Sequence, residues 1–385
     1  MTAYQDPRPG SGLAMARSIE AVVLENAAAS EANRTLNDAI VNALWDSGLM
    51  TWMNPVEAGG TDPTMQDLLD TWLELARQDG STGWIGIANL PSAAFAAAYL
   101  GNAAFREVFS TNDGRITMAG QFAPNGLGEQ VEGGFRVTGN FSFGSGTGHS
   151  QFVVGGFIPT VDGEMDFGED GMPDMRVAIF PVDQVNFTDN WHVQGLKGTG
   201  SYDYNVQDQF VPVHMTYPLF CRDRKRGSEL YRVGLMPLVA AGHAAWALGV
   251  ARSMLDDVTQ LAQSKTRMGD PTNLAQKPTF QRGLAHHEGM WRAARANVYQ
   301  TYLDMERDVL NGGECTLAMR ADMRIAATYA TEACREICQW AHLAAGTTSI
   351  REGSRLERAF RDMYTGTQHA FISEKTYLDS AQVLL

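Results

Sequence analysis

The sequence predicts a chain of three parts, in which a block of helices precedes a small antiparallel β domain and a long helical bundle. Apolar residues recur at helical spacing through the first block, and around Asp113 the spacing changes to the alternation typical of strands. From Leu235 onward the helical spacing returns. We therefore place the domain boundaries at residues 1–113, 114–221 and 222–385.

In the first block, loop residues separate successive amphipathic helices. The loop at residues 55–63 ends in a predicted cap, with Asp62 as the N-cap and Pro63 at the first helical position. The segment Gly80-Ser81-Thr82-Gly83 is predicted to break the next helix. The helix that follows, residues 84–100, carries almost no charge and is therefore expected in the interior.

Two polar residues, Asn89 and Ser92, interrupt this interior helix. Each either hydrogen-bonds to a neighbouring backbone carbonyl, which is the commoner outcome for such residues, or faces a ligand. The spacing alone favours the first alternative.

The β domain contains two segments rich in glycine, serine and threonine, residues 141–147 and 198–201. Short side chains let a flat ligand approach the backbone, and hydroxyls such as those of Thr199 and Ser201 can hydrogen-bond to its edge. Phe143 could stack on such a ligand. Two tight hairpins would explain the same residues, and either motif alone is a weak indication of a site.

The last long segment predicts a helix with two unlike faces. One face is apolar, and the other carries Arg358, Asp362, Thr365 and His369 at helical spacing. This second face either lines a cavity or is a solvated surface with an Arg358–Asp362 pair. The spacing alone favours the solvated surface.

Composition restricts the classes of function. A net charge of −14 argues against nucleic acid or anionic lipid as the main partner, because both require a basic surface. The N-terminus lacks the pattern of a signal peptide, and no uninterrupted apolar run reaches the length of a membrane span. The four cysteines are expected to be reduced. We therefore expect a cytoplasmic protein that acts on a small molecule.

The usual signatures of nucleotide, hydrolase and metal sites are missing from the sequence. His286, His287 and Glu288 are adjacent, so they cannot all face one metal ion from a helix. We therefore predict no metal site. The basic segment Arg222–Arg226 is either a solvated connector or a contact for phosphate.

Four motifs in their order along the chain carry a family resemblance. They are residues 79–84 (Asp-Gly-Ser-Thr-Gly-Trp), 139–146, 191–201 and 356–369. Together they resemble the acyl-CoA dehydrogenase superfamily and, more closely, its flavin-dependent monooxygenase branch, the oxygenase components of two-component systems. The resemblance implies an acyl-CoA dehydrogenase-like fold with an N-terminal all-α domain, a central antiparallel β-sandwich or barrel, and a C-terminal four-helix bundle, assembled as a homotetramer.

The resemblance also implies a reduced flavin, FAD or FMN, between the β domain and the bundle, with molecular oxygen as co-substrate and a separate flavin reductase. Phe143, Ser145 and Ser201 match positions that contact the flavin ring, and Thr199 lies in the same motif. A looser match concerns the residues that reach the cofactor from a neighbouring subunit, which are Arg267 and Gln281.

Two residues favour oxygenation over dehydrogenation. Many dehydrogenases of the superfamily keep a glutamate base just before a Gly-Thr pair, where this chain has Ala345. Some dehydrogenases place the base elsewhere, so this departure disfavours desaturation. His369 matches a histidine that the monooxygenases keep near the flavin, where a donor can hold the C4a-hydroperoxide once water is excluded. Gly366 is expected to leave space beside this imidazole.

A further departure leaves the substrate open. Several relatives carry a general-base histidine on the buried helix where this chain has Ser92, and serine alone cannot remove a phenolic proton. Either Asn89 with water orients the substrate, or the substrate needs no deprotonation. We therefore expect Ser92 and Asn89 to face a small cyclic or aromatic substrate. The alternatives are an acyl-CoA oxidoreductase, with the Arg222–Arg226 segment on the CoA phosphates, and a non-catalytic assembly protein that kept the fold.

Overall fold

The computed structural model describes residues 8, 10–168 and 171–385, and its N-terminal part is built from helices. These helices are α1 (Gly12–Ser18), α2 (Glu20–Asn33), α3 (Asp38–Asp46), α4 (Leu49–Trp52), α5 (Met65–Gln78), α6 (Gly80–Tyr99) and α7 (Asn102–Phe109). The predicted interior helix is confirmed, because α6 is buried along nearly its whole length.

The structure corrects both predicted helix boundaries in this part. Thr64, and not Asp62, caps α5, because its hydroxyl accepts from the N–H of Asp67 at 3.3 Å. The predicted break at residues 80–83 is wrong as well, since these residues form the first turn of α6. Asp79 ends α5 and caps α6 by accepting from the N–H of Thr82 at 2.9 Å. A single capping carboxylate is enough to separate two helices here.

In the described residues, the central part forms one sheet of eight strands. They are β1 (Met118–Val131), β2 (Gly134–Gly144), β3 (Phe152–Val161), β4 (Glu164–Met165), β5 (Arg176–Pro181), β6 (Asn186–Thr188), β7 (Tyr202–Pro212) and β8 (Thr216–Pro218). The strand order is β6-β7-β2-β1-β3-β5-β8, with β4 paired to β3. Antiparallel pairing predominates as predicted, and the pairing of β1 with β3 is parallel.

The C-terminal part returns to helices. They are α8 (Leu235–Ser264), α9 (Pro278–Leu310), α10 (Leu317–Ala345), α11 (Arg355–Gly366) and α12 (Glu374–Leu384). Within the described residues, α8 alone is long and apolar enough to cross a membrane, and most of it is buried inside the protein, as is usual for a core helix. The division of the chain into three domains stays a prediction.

Helix α8 is the central element, because it packs against α5, α6, α9, α10 and α11. The approach of α5 is very close: a Cβ atom on Gly249 would lie 2.2 Å from the carbonyl oxygen of Leu73. Farther along, the indole N–H of Trp246 donates to the carbonyl of Gly80 at 2.9 Å. These contacts bring the start of α6 against α8, and α11 packs on both helices.

Candidate active site

A chain of hydrogen-bonded hydroxyls lies where two loops of the β domain meet the start of α6. Ser145 follows β2, and Thr199 and Ser201 precede β7. The Oγ atoms of Ser145 and Ser201 are 2.6 Å apart, and Ser201 Oγ is 2.6 Å from Thr199 Oγ1. The loops are tied together by the N–H of Gly146, which donates to the carbonyl of Thr199 at 2.9 Å. Ser145 is therefore a neighbour of two hydroxyls that lie more than fifty positions away in the sequence.

The two ends of this chain set the direction of its hydrogen bonds. At one end, the indole N–H of Trp84 donates to Ser145 Oγ at 3.2 Å. At the other end, Thr199 Oγ1 donates to the carbonyl of Leu196 at 2.8 Å. Because an indole only donates and a carbonyl only accepts, Ser145 donates to Ser201 and Ser201 donates to Thr199. Each hydroxyl proton is thereby used, and the oxygens keep lone pairs for N–H or O–H groups of a ligand.

The loop that carries Thr199 and Ser201 is anchored on α11. Leu196 has a left-handed backbone conformation with φ of 54°, and its N–H donates to Asp362 Oδ1 at 2.5 Å. Just before it, a Cβ atom on Gly195 would lie 2.2 Å from the carbonyl oxygen of Arg361. A left-handed leucine is uncommon, and the carboxylate of Asp362 holds it in place.

Asp362 itself lies in a buried cluster of charged groups. It is 1% exposed, and its Oδ2 has no hydrogen-bond partner in the described part of the chain. Burial, with the nearby carboxylate of Asp79, raises the pKa of Asp362 to about 7. Arg358 is also buried and lies with its Nε 3.4 Å from Asp79 Oδ1. This face of α11 is therefore internal, and the alternative of a solvated surface with an Arg358–Asp362 pair is wrong.

His369 lies near Trp84 of α6 and is not part of a helix. The sequence predicted it on one helical face with Asp362, but α11 ends at Gly366 and His369 follows in a turn. Its ring is 5.9 Å from that of Trp84 between centroids, and its Nδ1 accepts from the N–H of Phe371 at 3.3 Å. Burial lowers the pKa of His369 to about 4. A neutral imidazole whose Nδ1 is an acceptor carries its proton on Nε2, so His369 is a donor there.

The structure adds a second imidazole, His243 of α8, that the sequence reasoning missed. The ring centroids of His243 and His369 are 4.0 Å apart, and His243 is 5.1 Å from Trp84. Burial, and to a lesser extent His369, lowers the pKa of His243 well below its ordinary value. The one sequence signal was a histidine in the run from Ala240 to Trp246, which is otherwise composed of Ala, Gly and Trp.

Gly366 has a different role from the one predicted. A Cβ atom on Gly366 would lie 2.3 Å from the ring of Trp246, so the glycine lets α11 pack directly on that indole. Trp246 in turn meets Trp84 edge to face, with centroids 5.0 Å apart. The prediction that Gly366 leaves space beside the imidazole is wrong, because the tryptophan fills that space.

Asn89 and Ser92 are committed to the protein itself. Asn89 Nδ2 donates to the carbonyl of Met118 at 2.9 Å, and its Oδ1 is 3.2 Å from Nε2 of His149. A Cβ on Gly146 would lie 2.0 Å from Asn89 Oδ1, so Asn89 positions the loop that carries Ser145. Ser92 donates to the carbonyl of Ala88 at 2.6 Å. The expectation that both face the substrate is corrected to the alternative of internal hydrogen bonds.

Three other predicted cofactor contacts lie at the surface of the single chain. Phe143 is 66% exposed with φ of 63°, a strained conformation for an aromatic residue. Arg267 donates to the carbonyl of Ala344 at 3.2 Å, and Gln281 donates to that of Ala275 at 2.9 Å. The contact of these residues with a cofactor, and that of Arg267 and Gln281 across a subunit boundary, stays a prediction.

The chemistry of this donor set fits a flavin. The ring of Phe143 offers a flat exposed surface, and Ser145 and Ser201 offer hydroxyl oxygens at the edge of the same loops. His369 offers a neutral N–H donor. A heteroaromatic ring with N–H and carbonyl groups on its edge would find acceptors in the hydroxyl oxygens and a donor in His369.

The basic segment is mostly structural. Arg226 is 7% exposed and donates to the carbonyls of Ala97 at 3.0 Å and Leu100 at 2.7 Å. Its guanidinium also lies 3.9 Å from the ring centroid of Phe105. Arg224 pairs with Glu229. Neither arginine is available to the phosphates of a CoA ester.

A cluster of two imidazoles and one carboxylate lies elsewhere on the bundle. The ligand atoms of His286, His287 and Glu336 are within 4.8 Å of one another, whereas Glu288 pairs with Arg252. His286 and Glu336 are exposed, and the group shares no residue with the site around His369.

The comparisons agree with this fold. Residues 241–374 match the family model described as acyl-CoA dehydrogenase, C-terminal domain. The indole-3-acetate monooxygenase of Acinetobacter baumannii is 27% identical over 89% of this chain and 86% of its own. The oxygenase subunit HsaA of Mycobacterium tuberculosis, a flavin-dependent monooxygenase, is 28% identical over 96% of this chain and 94% of its own.

Solved structures give the same result at the level of the fold. The crystal structure of the M. tuberculosis HsaA monooxygenase matches with a TM-score of 0.88 and 24% identity, covering 97% of this chain and 98% of that one. XiaF from Streptomyces sp., in complex with FADH2 and glycerol, matches with a TM-score of 0.87 and 22% identity, covering 97% and 95%. The chain has the acyl-CoA dehydrogenase fold, as predicted.

Sequence and fold point to the same group of proteins. Residues 241–374 match the acyl-CoA dehydrogenase C-terminal domain, and nearly the whole chain is similar to flavin-dependent monooxygenases that are named as oxygenase components. The resemblance stated from the four motifs is therefore confirmed.

Proposed function

We propose that this protein is the oxygenase component of a two-component monooxygenase that uses reduced flavin and oxygen to oxygenate a small aromatic compound. The observation that carries the proposal is the neutral imidazole of His369, whose Nδ1 accepts from Phe371 and whose Nε2 is left as a donor. Bound reduced flavin would supply the two electrons that activate oxygen. The relatives act on aromatic compounds by name, indole-3-acetate among them.

The hydroxyls and the imidazoles of the site have separate tasks in this proposal. Ser145 and Ser201 would hold the edge of a flavin through their lone pairs, and Phe143 would offer its exposed ring to the cofactor. His369 would offer its Nε2–H as a fixed donor, which stabilises developing negative charge in a site without water. The buried ring of His243 would help to exclude water from the site.

The dehydrogenase alternative has less support. Ala345 stands where many dehydrogenases keep a glutamate and cannot accept a proton. The basic segment does not offer Arg224 or Arg226 to a CoA phosphate, because both are engaged within the protein. We infer that the substrate is a free aromatic compound and not a CoA ester.

The proposal includes a flavin reductase as a partner, since relatives are named as oxygenase subunits and one solved relative holds FADH2. Both FAD and FMN fit the donor set. A homotetramer is also proposed, since the C-terminal helices expose apolar side chains that an assembly would cover: Leu317, Tyr329, Leu343 and Leu378. Light scattering after size exclusion would show four chains, and a monomer would refute this part.

We also propose a cytoplasmic location. All four cysteines are free thiols, which is ordinary in a reducing compartment.

The experiment supplies chemically reduced FAD or FMN, isotopically labelled oxygen and a panel of phenols and indoles. Mass spectrometry then measures incorporation of one labelled atom into a product. Retention of flavin with only hydrogen peroxide released, for every compound, would refute the oxygenase function. Bleaching of bound flavin by an acyl-CoA without oxygen would favour the dehydrogenase alternative instead.

A further inference from the structure

His243 is a buried imidazole without a hydrogen-bond partner among the residues that the structure describes. It is 5% exposed and lies on α8, which is buried along most of its length. Its ring contacts are with Trp84, His369 and Phe371, all of them through ring faces or edges. Both of its nitrogens are therefore open to a new bond.

A structural role does not explain this side chain. Burying an unpaired polar group costs free energy, and an apolar ring at the same position would make the same ring contacts without that cost. The other buried histidine of the described residues, His287, has its Nδ1 2.7 Å from the carbonyl of Gly283. His243 differs from it in making no hydrogen bond within the described residues and in lying beside His369.

Because burial keeps His243 neutral, one of its ring nitrogens is an acceptor and the other a donor. His369 supplies a donor from the same corner of the site. An acceptor and a donor on two rings with centroids 4.0 Å apart can serve two different groups, the substrate and the activated oxygen.

We propose that His243 contacts the substrate and accepts a hydrogen bond from its ring hydroxyl or ring N–H. This inference rests on the proposed function and narrows its substrate to phenols and N–H heteroaromatics. The group that holds the substrate then comes from α8, and not from α6, where Asn89 and Ser92 are already bonded within the protein.

The experiment compares the binding of two probes to the full-length protein with oxidised flavin present. The probes are p-cresol and its methyl ether, which share a ring and differ in the O–H. Calorimetry measures both affinities for the wild type, His243→Phe, His243→Asn and the control His214→Phe. His214 is exposed and pairs with Glu107.

We expect the wild type to bind p-cresol about 10-fold more tightly than its methyl ether, because one well-made buried hydrogen bond contributes about this factor. His243→Phe should reduce that preference to less than about 2-fold and leave the affinity for the ether unchanged. His243→Asn should keep part of the preference, because the amide oxygen still accepts, and His214→Phe should keep all of it.

Three results would overturn the proposal. The preference for p-cresol could be unchanged in His243→Phe, this variant could lose affinity equally for both probes, or neither probe could bind to the wild type. If His243→Phe does not fold, as judged by circular dichroism, a full wild-type preference in a second variant, His243→Ala, would overturn it. Failure of the proposed function would show separately, as a protein that keeps the probe preference and transfers no labelled oxygen.

Discussion

The two walls of the candidate site differ in how far their polar groups are used. On the hydroxyl wall (Ser145, Thr199 and Ser201), each hydroxyl donates to a neighbour, and the chain ends on the carbonyl of Leu196. On the imidazole wall (His243 and His369), one ring has no hydrogen-bond partner in the described residues and the other uses one nitrogen. Trp84 joins the walls, since it donates to Ser145 and packs against both imidazoles.

This difference separates the tasks of positioning and of chemistry. A saturated hydrogen-bond chain resists rearrangement, because moving one member leaves another unpaired in a dry environment. Such a wall holds a ligand in one place. Unused nitrogens cost stability in the absence of a ligand and are ready to bond to one that changes during the reaction.

The largest expected effect is on the imidazole wall. His369→Ala removes the Nε2 donor, so the yield of oxygenated product per flavin oxidised should fall about 100-fold, as for loss of one fixed donor to developing charge. The hydrogen peroxide released per flavin should rise to match. Coupled assays of product and peroxide measure both.

The control for this change is His214→Ala, at the surface pair with Glu107. It should leave the ratio of product to peroxide at the wild-type value. If His369→Ala keeps the wild-type ratio of product to peroxide, His369 has no part in the chemistry and the imidazole wall does not supply the proposed donor.

The hydroxyl wall was easier to predict from the sequence than the imidazole wall. Ser145 and Ser201 lie in local motifs rich in Gly and Ser, where the residue types themselves indicate a ligand edge. His243 has no such motif, because only the packing of α8 against α11 brings it to His369. Sequence spacing carries no information on a contact between residues that lie 126 positions apart.

The remaining errors have one physical cause: local patterns do not reveal tertiary hydrogen bonds. Helical spacing placed His369 on α11, but the helix ends at Gly366, where the chain packs on Trp246. The polar face of α11 resembled a solvated surface in the sequence. It is buried, because the loop at Leu196 packs on it and donates a hydrogen bond to Asp362. The order of helices and strands was predictable since it depends on periodicity alone.

The second prediction weakens the hydroxyl wall. Ser201→Ala removes the central hydroxyl, so Ser145 loses its acceptor and Thr199 its donor. We expect a loss of about 1 kcal/mol in the free energy of unfolding and flavin binding weaker by about 5-fold. Chemical denaturation and flavin fluorescence measure the two effects.

A matched control is Ser253→Ala, since this buried serine donates only to the carbonyl of Val250 on its own helix. Its flavin affinity should equal that of the wild type. If Ser201→Ala also keeps the wild-type affinity, the hydroxyl wall does not hold the cofactor.

The smallest expected effect tests the anchor of the hydroxyl wall on α11. Asp362→Asn keeps an oxygen to accept from Leu196 and removes the buried charge. The pKa of Asp362 in the folded protein is raised to about 7, above the 3.8 of an ordinary aspartate. A raised carboxyl pKa stabilises the folded state at low pH, and this contribution is lost as the pH rises through the folded pKa.

The melting temperature of Asp362→Asn should therefore be closest to that of the wild type near pH 4, and its excess should grow to a few degrees as the pH rises through 7 to 8. Thermal melts across this range measure the difference, with Asp256→Asn as the control, because Asp256 is exposed and pairs with Arg252. A difference that stays constant with pH would mean that Asp362 is charged throughout. The buried cluster would then anchor the loop as an ion pair with Arg358, and the hydroxyl wall would depend on charge as well as on hydrogen bonds.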